Sequence, residues 1–292
     1  MIYKIENDLL EILLNSEGAE LTSIKGKNDN LEYLWIGDKN YWGRHAPVLF
    51  PIVGKVNNNT YRLNDEIYHL NQHGLARDCN FEILSTGENF IKFSLKYSEE
   101  TLKIYPYKFN LKIKYTLIDS KIQIDYEVIN LDKDEIYFSI GAHPGFNCPL
   151  LPNESFDDYY IQFEKNETCP TMVLNKEGFL KREKISYLKD SNIINLNDNT
   201  FKNDALIFKN LISNRISLKS NKSSKSISLD FKGFPFLGIW SMPTGAPFIC
   251  MEPWFGHADF EDFDDDFKNK PGIIKLNVNN SFKCNYKIEI NQ

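Results

Sequence analysis

The stretch Tyr107-Lys-Phe-Asn-Leu-Lys-Ile-Lys-Tyr-Thr-Leu117 and, after a polar turn, Ile122-Gln-Ile-Asp-Tyr-Glu-Val128 decides the fold. Apolar side chains occupy every second position, and Lys108, Lys112 and Lys114 occupy the alternate ones in the first run. A period of two puts them on opposite faces of a strand with one dry and one wet side. The same alternation precedes these runs at Phe93, Leu95 and Tyr97 and follows them at Ile136, Phe138 and Ile140. Consecutive strands joined by short turns pair antiparallel, so the segment reads as a meander. Period-two runs return at Ile216 and Leu218, at Ile227, Leu229 and Phe231, at Leu276 and Val278, and from Cys284 to Ile290. No stretch of ten or more residues carries an amphipathic helical period. With 21 Phe and 15 Tyr favouring pleated surfaces, the chain reads as all-β, large antiparallel sheets in a single domain over residues 1–292.

Outside these runs, residues 3–14 and 31–36 read as edge strands, and residues 60–70, with Asn64-Asp65 at the centre, as a hairpin. Residues 150–204 are rich in Asn, Lys and Asp and read as a long decorated loop region with one strand at 159–164.

The net charge of −6 comes without clustered Lys and Arg, which excludes a nucleic-acid partner. The first residues are charged and lack the apolar core of a signal peptide, and the apolar stretch 47–53 is interrupted by Pro47 and Pro51, so the expectation is a soluble cytoplasmic chain with no membrane contact. Five widely spread cysteines without a Cys-x-x-Cys pair indicate neither a disulfide framework nor a zinc cluster. The acidic turn 261–266 lacks the glycine and the glutamate of a calcium loop, where Phe267 and Ile273 stand, and reads as solvated.

Two groups stand where strands stop. In Ser139-Ile-Gly-Ala-His-Pro-Gly-Phe-Asn147 the alternation breaks around His143, and Pro144 keeps His143 extended at a strand end. A turn histidine without a role has the same local signature. Phe248-Ile-Cys-Met251 is apolar on both faces, hence buried, and ends on Glu252. Such a carboxylate must be paired, protonated or open to a ligand cavity, unless the chain has already reached solvent. An imidazole titrating near its ordinary value and a paired glutamate that stays ionised can together move protons at neutral pH. Pro253 makes the exit rigid and Trp254 sets an aromatic face beside it. Trp42-Gly-Arg-His-Ala-Pro-Val-Leu-Phe-Pro-Ile-Val-Gly54 is too Pro-rich for a central strand and too apolar for a solvated loop, so it lines something; Arg44 points either into that space or to the surface. His73-Gly74, with Arg77 beyond it, marks a turn, and Asp204 meets the apolar run Ala205-Leu-Ile-Phe208. A thiol dyad of Cys148 and His143 has no orienting residue to complete it, and no phosphate loop, dinucleotide fingerprint or nucleophile elbow is present.

Three of these stretches, His73-Gly-Leu-Ala-Arg-Asp78, Gly141-Ala-His-Pro-Gly-Phe-Asn147 and Cys250-Met-Glu-Pro-Trp-Phe-Gly256, resemble in order the three signatures of the aldose 1-epimerase (mutarotase) family. The Arg44 segment is similar to its LacX-like bacterial branch. The resemblance implies a galactose mutarotase-like β-supersandwich, an isomerase acting on a small sugar without cofactor or metal, as a monomer or homodimer. It implies Glu252 as general base, His143 as general acid and His73 near the ring oxygen, with Arg44, Asp204 and Trp254 contacting the sugar. Arg44 and Arg77 are also similar to the arginines by which a hexose-6-phosphate branch holds phosphate. A catalytically silent sugar-binding protein on the same fold would not need both His143 and Glu252.

Overall fold

Alternation in the sequence becomes alternation of burial in the folded chain. In a computed structural model describing all 292 residues, Phe109–Ile118 and Lys121–Asn130 are adjacent antiparallel strands whose apolar positions are buried one after another. On the wet face, Glu127 lies opposite Lys112 and within salt-bridge distance of Lys92, Lys112 and Lys283.

These strands belong to a sheet of 15. Thirteen of the 15 run in order from Val48–Leu49 through Ile140–Ala142, Phe248–Phe255, Phe236–Trp240, Leu206–Lys209, Tyr159–Leu174, Arg215–Ser220, Ser226–Asp230 and Ser281–Asn291 to Lys121–Asn130, Phe109–Ile118, Phe90–Lys96 and Glu82–Thr86, while Gly145–Asn147 pairs with Phe248–Phe255 and Leu180–Asn195 with Tyr159–Leu174 off this path. The sheet folds over itself: Phe50, beside the first strand of this order, packs on Phe109 near the other end, with ring centres 5.1 Å apart. The large core between them runs from Ile5 to Ile290 in sequence. A second sheet pairs Ile2–Glu6, Leu10–Asn15 and Glu20–Gly26, and Thr60–Leu63 with Glu66–His69 forms the expected hairpin. The one α-helix, Glu99–Ile104, is held at its start by Ser98, which accepts from the Thr101 amide while Thr101 caps the Ser98 amide in return. No helix is long and apolar enough to cross a membrane.

Three expectations need correction. Residues 31–36 form no strand, only isolated bridges at Glu32 and Leu34. Residues 150–204 are not mainly loop: Tyr159–Leu174 and Leu180–Asn195 are 16-residue strands paired with each other. The ladder shifts register after Gln162, Glu167, Cys169 and Met172; Glu164, Lys165 and Asn166 are all exposed, and the buried positions that follow are Glu167, Cys169 and Thr171, so no apolar alternation marks the segment. Pro170 sits at one of these irregularities, where a ladder tolerates it. The run Ile136, Phe138, Ile140 is also divided: Ile136–Phe138 pairs with Ile274–Leu276, whereas Ile140–Ala142 joins the large sheet.

Three central strands carry apolar residues on both faces. Ile249 and Met251, Leu237 and Ile239, and Leu206 and Phe208 enter the main core. Phe248, Cys250 and Trp254, with Phe236 and Ile207, face the other way into smaller clusters that floor a cleft. The Trp254 ring lies across neighbours without side chains. A Cβ at Gly238 would come within 2.5 Å of the indole, and one at Gly141 within 2.6 Å. Gly238→Ala is therefore expected to displace the indole, destabilising the protein by about 1–3 kcal/mol. The check is the urea midpoint together with tryptophan fluorescence, using Trp254→Phe to assign the signal. An unchanged midpoint and emission would contradict the proposed packing.

Candidate active site

Backbone pairing brings the two strand-end groups together. Gly141 pairs with Trp254 and Gly145 with Cys250, so the same register carried between them sets His143 opposite Glu252. On the other side Glu252 pairs with Gly238. Directly opposed residues on one sheet face approach closely, and here His143 Nε2 lies 3.2 Å from Glu252 Oε2. Pro144, which has no amide to donate, accepts from the Met251 amide at 3.2 Å and keeps the interrupted ladder together.

Both groups are removed from water, His143 at 8 % exposure and Glu252 at 1 %. Burial pushes the Glu252 carboxyl well above the usual carboxylate range, and the negative charge of Asp204 pushes it further. Burial holds His143 well below the ordinary imidazole value, and the Arg77 and Arg44 charges add to this. This differs from the expectation of an ordinary imidazole beside an ionised glutamate: desolvation favours the uncharged form of both groups. His143 Nδ1 and Glu252 Oε2 are buried without a hydrogen-bond partner. The Trp254 indole lies near enough to favour the charged carboxylate but is not aligned as a donor.

Above this pair lies a cavity of about 390 Å³, lined among others by His143, Glu252, His73, Arg77, Asp204 and Trp254. Its volume suits a small polar ligand. His73 has φ +66° and is doubly tied to Gly54: its amide donates to the Gly54 carbonyl at 2.8 Å and its Nδ1 accepts from the Gly54 amide at 3.2 Å. An Nδ1 that accepts leaves the proton of the neutral ring on Nε2. Burial and the nearby His143 keep that ring neutral. Asp204, at φ +76°, anchors its carboxylate on the Ala205 amide at 2.8 Å.

Arg44 is the expected site residue that the cavity does not take in. Its guanidinium pairs with Asp78 at 2.6 Å, in a neighbouring hollow bordered by Glu17, Glu20 and Arg77. The acidic turn is also accounted for locally: Asp262 pairs with Arg182 at 3.0 Å and Asp266 accepts from the Asn64 amide at 2.8 Å.

Several lining residues were missed by sequence reasoning. Trp42 stacks on His143 with ring centres 4.7 Å apart, and Trp240 meets the same imidazole edge-on at 5.7 Å. Trp42 heads the same Pro-rich segment as Arg44, so an aromatic residue in a lining segment was the available signal. Gln72, whose amide lies 3.2 Å from His73 Nε2, and Lys55 and Lys176 carried none.

Comparison with known proteins places the chain in a family. The family model described as aldose 1-epimerase matches residues 1–266. The chain is 36 % identical to the chromosomal protein LacX of Lactococcus lactis subsp. lactis, over 99 % of each. Among solved structures it resembles a galactose mutarotase related enzyme from Lactobacillus acidophilus, with TM-score 0.96, 35 % identity, and coverage of 100 % of this chain and 98 % of that one. It also resembles a galactose mutarotase-like protein from Lactobacillus casei, with TM-score 0.94, 33 % identity and full coverage of both. On this evidence the chain belongs to the aldose 1-epimerase family, an isomerase on a galactose mutarotase-like fold.

Proposed function

We propose that the chain interconverts the α and β anomers of an aldohexose such as glucose or galactose by opening and reclosing the ring. The contact between His143 and Glu252 at the cavity floor carries this reading. The anomeric hydroxyl oxygen and the ring oxygen are both bonded to C1, so two groups touching each other reach both at once. Glu252, as carboxylate, takes the hydroxyl proton while protonated His143 gives one to the ring oxygen. The C1–O5 bond breaks and the aldehyde forms. The pair passes from its ionic to its neutral form on opening and back on closure, so both proton arrangements of the same two groups serve one cycle. Rotation about C1–C2 presents the other carbonyl face, and the reversed transfers close the opposite anomer. His73, held as an Nε2 donor, orients a sugar oxygen, and Trp42, Trp240 and Trp254 offer apolar faces to the sugar C–H groups.

Polarimetry on fresh α-D-glucose and α-D-galactose tests the assignment. Glu252→Gln and His143→Asn are each expected to lose about 10²–10⁴-fold in kcat/KM, with circular dichroism unchanged. Wild-type rates in Glu252→Gln would instead indicate a sugar-binding protein whose carboxylate is idle.

Activity requires one proton on the pair, which fixes the signs of the pH dependence. Raising Glu252 moves loss of that proton to higher pH, and lowering His143 moves gain of a second proton to lower pH. The kcat/KM plateau is therefore expected to be broad, with its acid limb below the ordinary imidazole value of about 6.5. An acid limb at that value would show His143 titrating as a solvated residue and would remove the basis for a desolvated pair.

A second reading concerns the substrate's charge. Lys55, Lys176 and Arg77 border the cavity, and Arg77 Nε is buried without a hydrogen-bond partner, 3.8 Å from Asp78. A phosphate on the sugar would meet these cations. Glucose 6-phosphate compared with glucose decides it: under this reading Arg77→Gln raises KM for the phosphorylated sugar alone. Equal KM changes for both sugars would assign Arg77 to general binding.

A further inference from the structure

Beneath the acid–base pair lies a third heteroatom that the sugar chemistry does not use. Cys250 precedes Glu252 by two residues on the same face of Phe248–Phe255, and its side chain is fully buried. One donor atom from each of His143, Cys250 and Glu252 lies within 4.8 Å of the other two. His143 Nδ1 and Glu252 Oε2 are buried and without hydrogen-bond partners. Nitrogen, thiolate sulfur and carboxylate oxygen are the donor types of zinc, which binds them at about 2.0–2.3 Å in tetrahedral geometry. That geometry sets donors roughly 3.3–3.8 Å apart, so side-chain rotations of about an ångström would bring these three into place. The fourth position would face the cavity, the three-ligand arrangement of an open zinc site. A hard ion such as magnesium prefers oxygen donors and is a poor match for the sulfur.

We propose that His143, Cys250 and Glu252 form a binding site for zinc or a similarly thiophilic divalent cation, and that its occupation silences the acid–base pair. Binding releases the thiol proton and the proton shared by the pair, leaving thiolate, imidazole and carboxylate on the metal. The imidazole and carboxylate lone pairs that would move protons on the sugar are then committed to the ion.

The test uses the full-length protein stripped of metal, with cobalt(II) as a spectroscopic stand-in for zinc and no sugar present. Wild type is expected to develop a thiolate-to-cobalt charge-transfer band that saturates at one ion per chain and is abolished by added zinc. In a separate assay, zinc is expected to inhibit mutarotation and magnesium to leave it unchanged. Cys250→Ser is expected to keep its metal-free rate, lose the band and need roughly tenfold or more zinc for the same inhibition. Should Cys250→Ser fold poorly, His143→Asn with an unchanged circular dichroism spectrum supplies the second arm and is expected to weaken the band. No band in wild type, or equal zinc inhibition of wild type and Cys250→Ser, would overturn the site. Because the band is read without sugar, this outcome is separate from the fate of the anomer-exchange reading.

Discussion

The site depends on one constraint: two ionisable side chains face each other across an antiparallel ladder from which water has been removed. Register sets the His143–Glu252 contact. Register is a property of backbone hydrogen bonds over several residues, so the backbone positions that carry the two side chains are fixed by the ladder as a whole. Desolvation then drives both groups toward their neutral forms. A strand end that is solvated in most sheets becomes here a place where both members of an acid–base pair are held toward their uncharged forms.

The surrounding structure keeps that place narrow and dry. Gly141 and Gly238 leave room for the Trp254 indole to lie across the neighbouring strands, so one ring covers what two side chains would otherwise fill. Trp42 and Trp240 enclose the imidazole from two directions. The wall carrying Lys55 is held from outside the cavity by Asp259. Its amide donates to the Lys55 carbonyl, its carboxylate accepts from the Asn57 amide, and its carbonyl accepts from the Leu180 amide. The same carboxylate forms a buried ion pair with Lys270. A buried pair of this kind adds little net stability, but removing one partner strands the other charge and costs about 3–5 kcal/mol. Its structural effect is to tie the segments at Lys55–Asn57, Leu180 and Lys270 to one residue.

Much of the fold was legible because burial follows the pleat. Phe109 to Leu117 and Ile122 to Val128 alternate without interruption, and each buried position is apolar. Tyr159–Leu174 was legible only at its start, because after Phe163 three residues in a row are exposed and the next buried positions are Glu167, Cys169 and Thr171 rather than large apolar residues. The candidate site divides in the same way. His143 and Glu252 were visible because prolines and a two-faced apolar strand mark them locally. Whether Arg44 would enter the cavity was not legible, because a guanidinium on a long flexible stem takes a carboxylate within its reach, and Asp78, 34 residues away, was not identifiable as that carboxylate. Trp240, Lys55 and Lys176 had no local mark at all.

Sequence alone determined the β class, the positions where strands stop and the kinds of side chain exposed at those stops, since these follow from period-two burial and from the restricted backbone of proline and glycine. Tertiary structure alone decided that His143 and Glu252 lie directly opposite each other in one ladder, that Trp42 stacks on the imidazole, that Cys250 lies close to both, and that both groups are desolvated. The physical reason is distance along the chain: pairing, stacking and desolvation join residues scores of positions apart, and no local pattern encodes the ladder that brings them within a few ångströms.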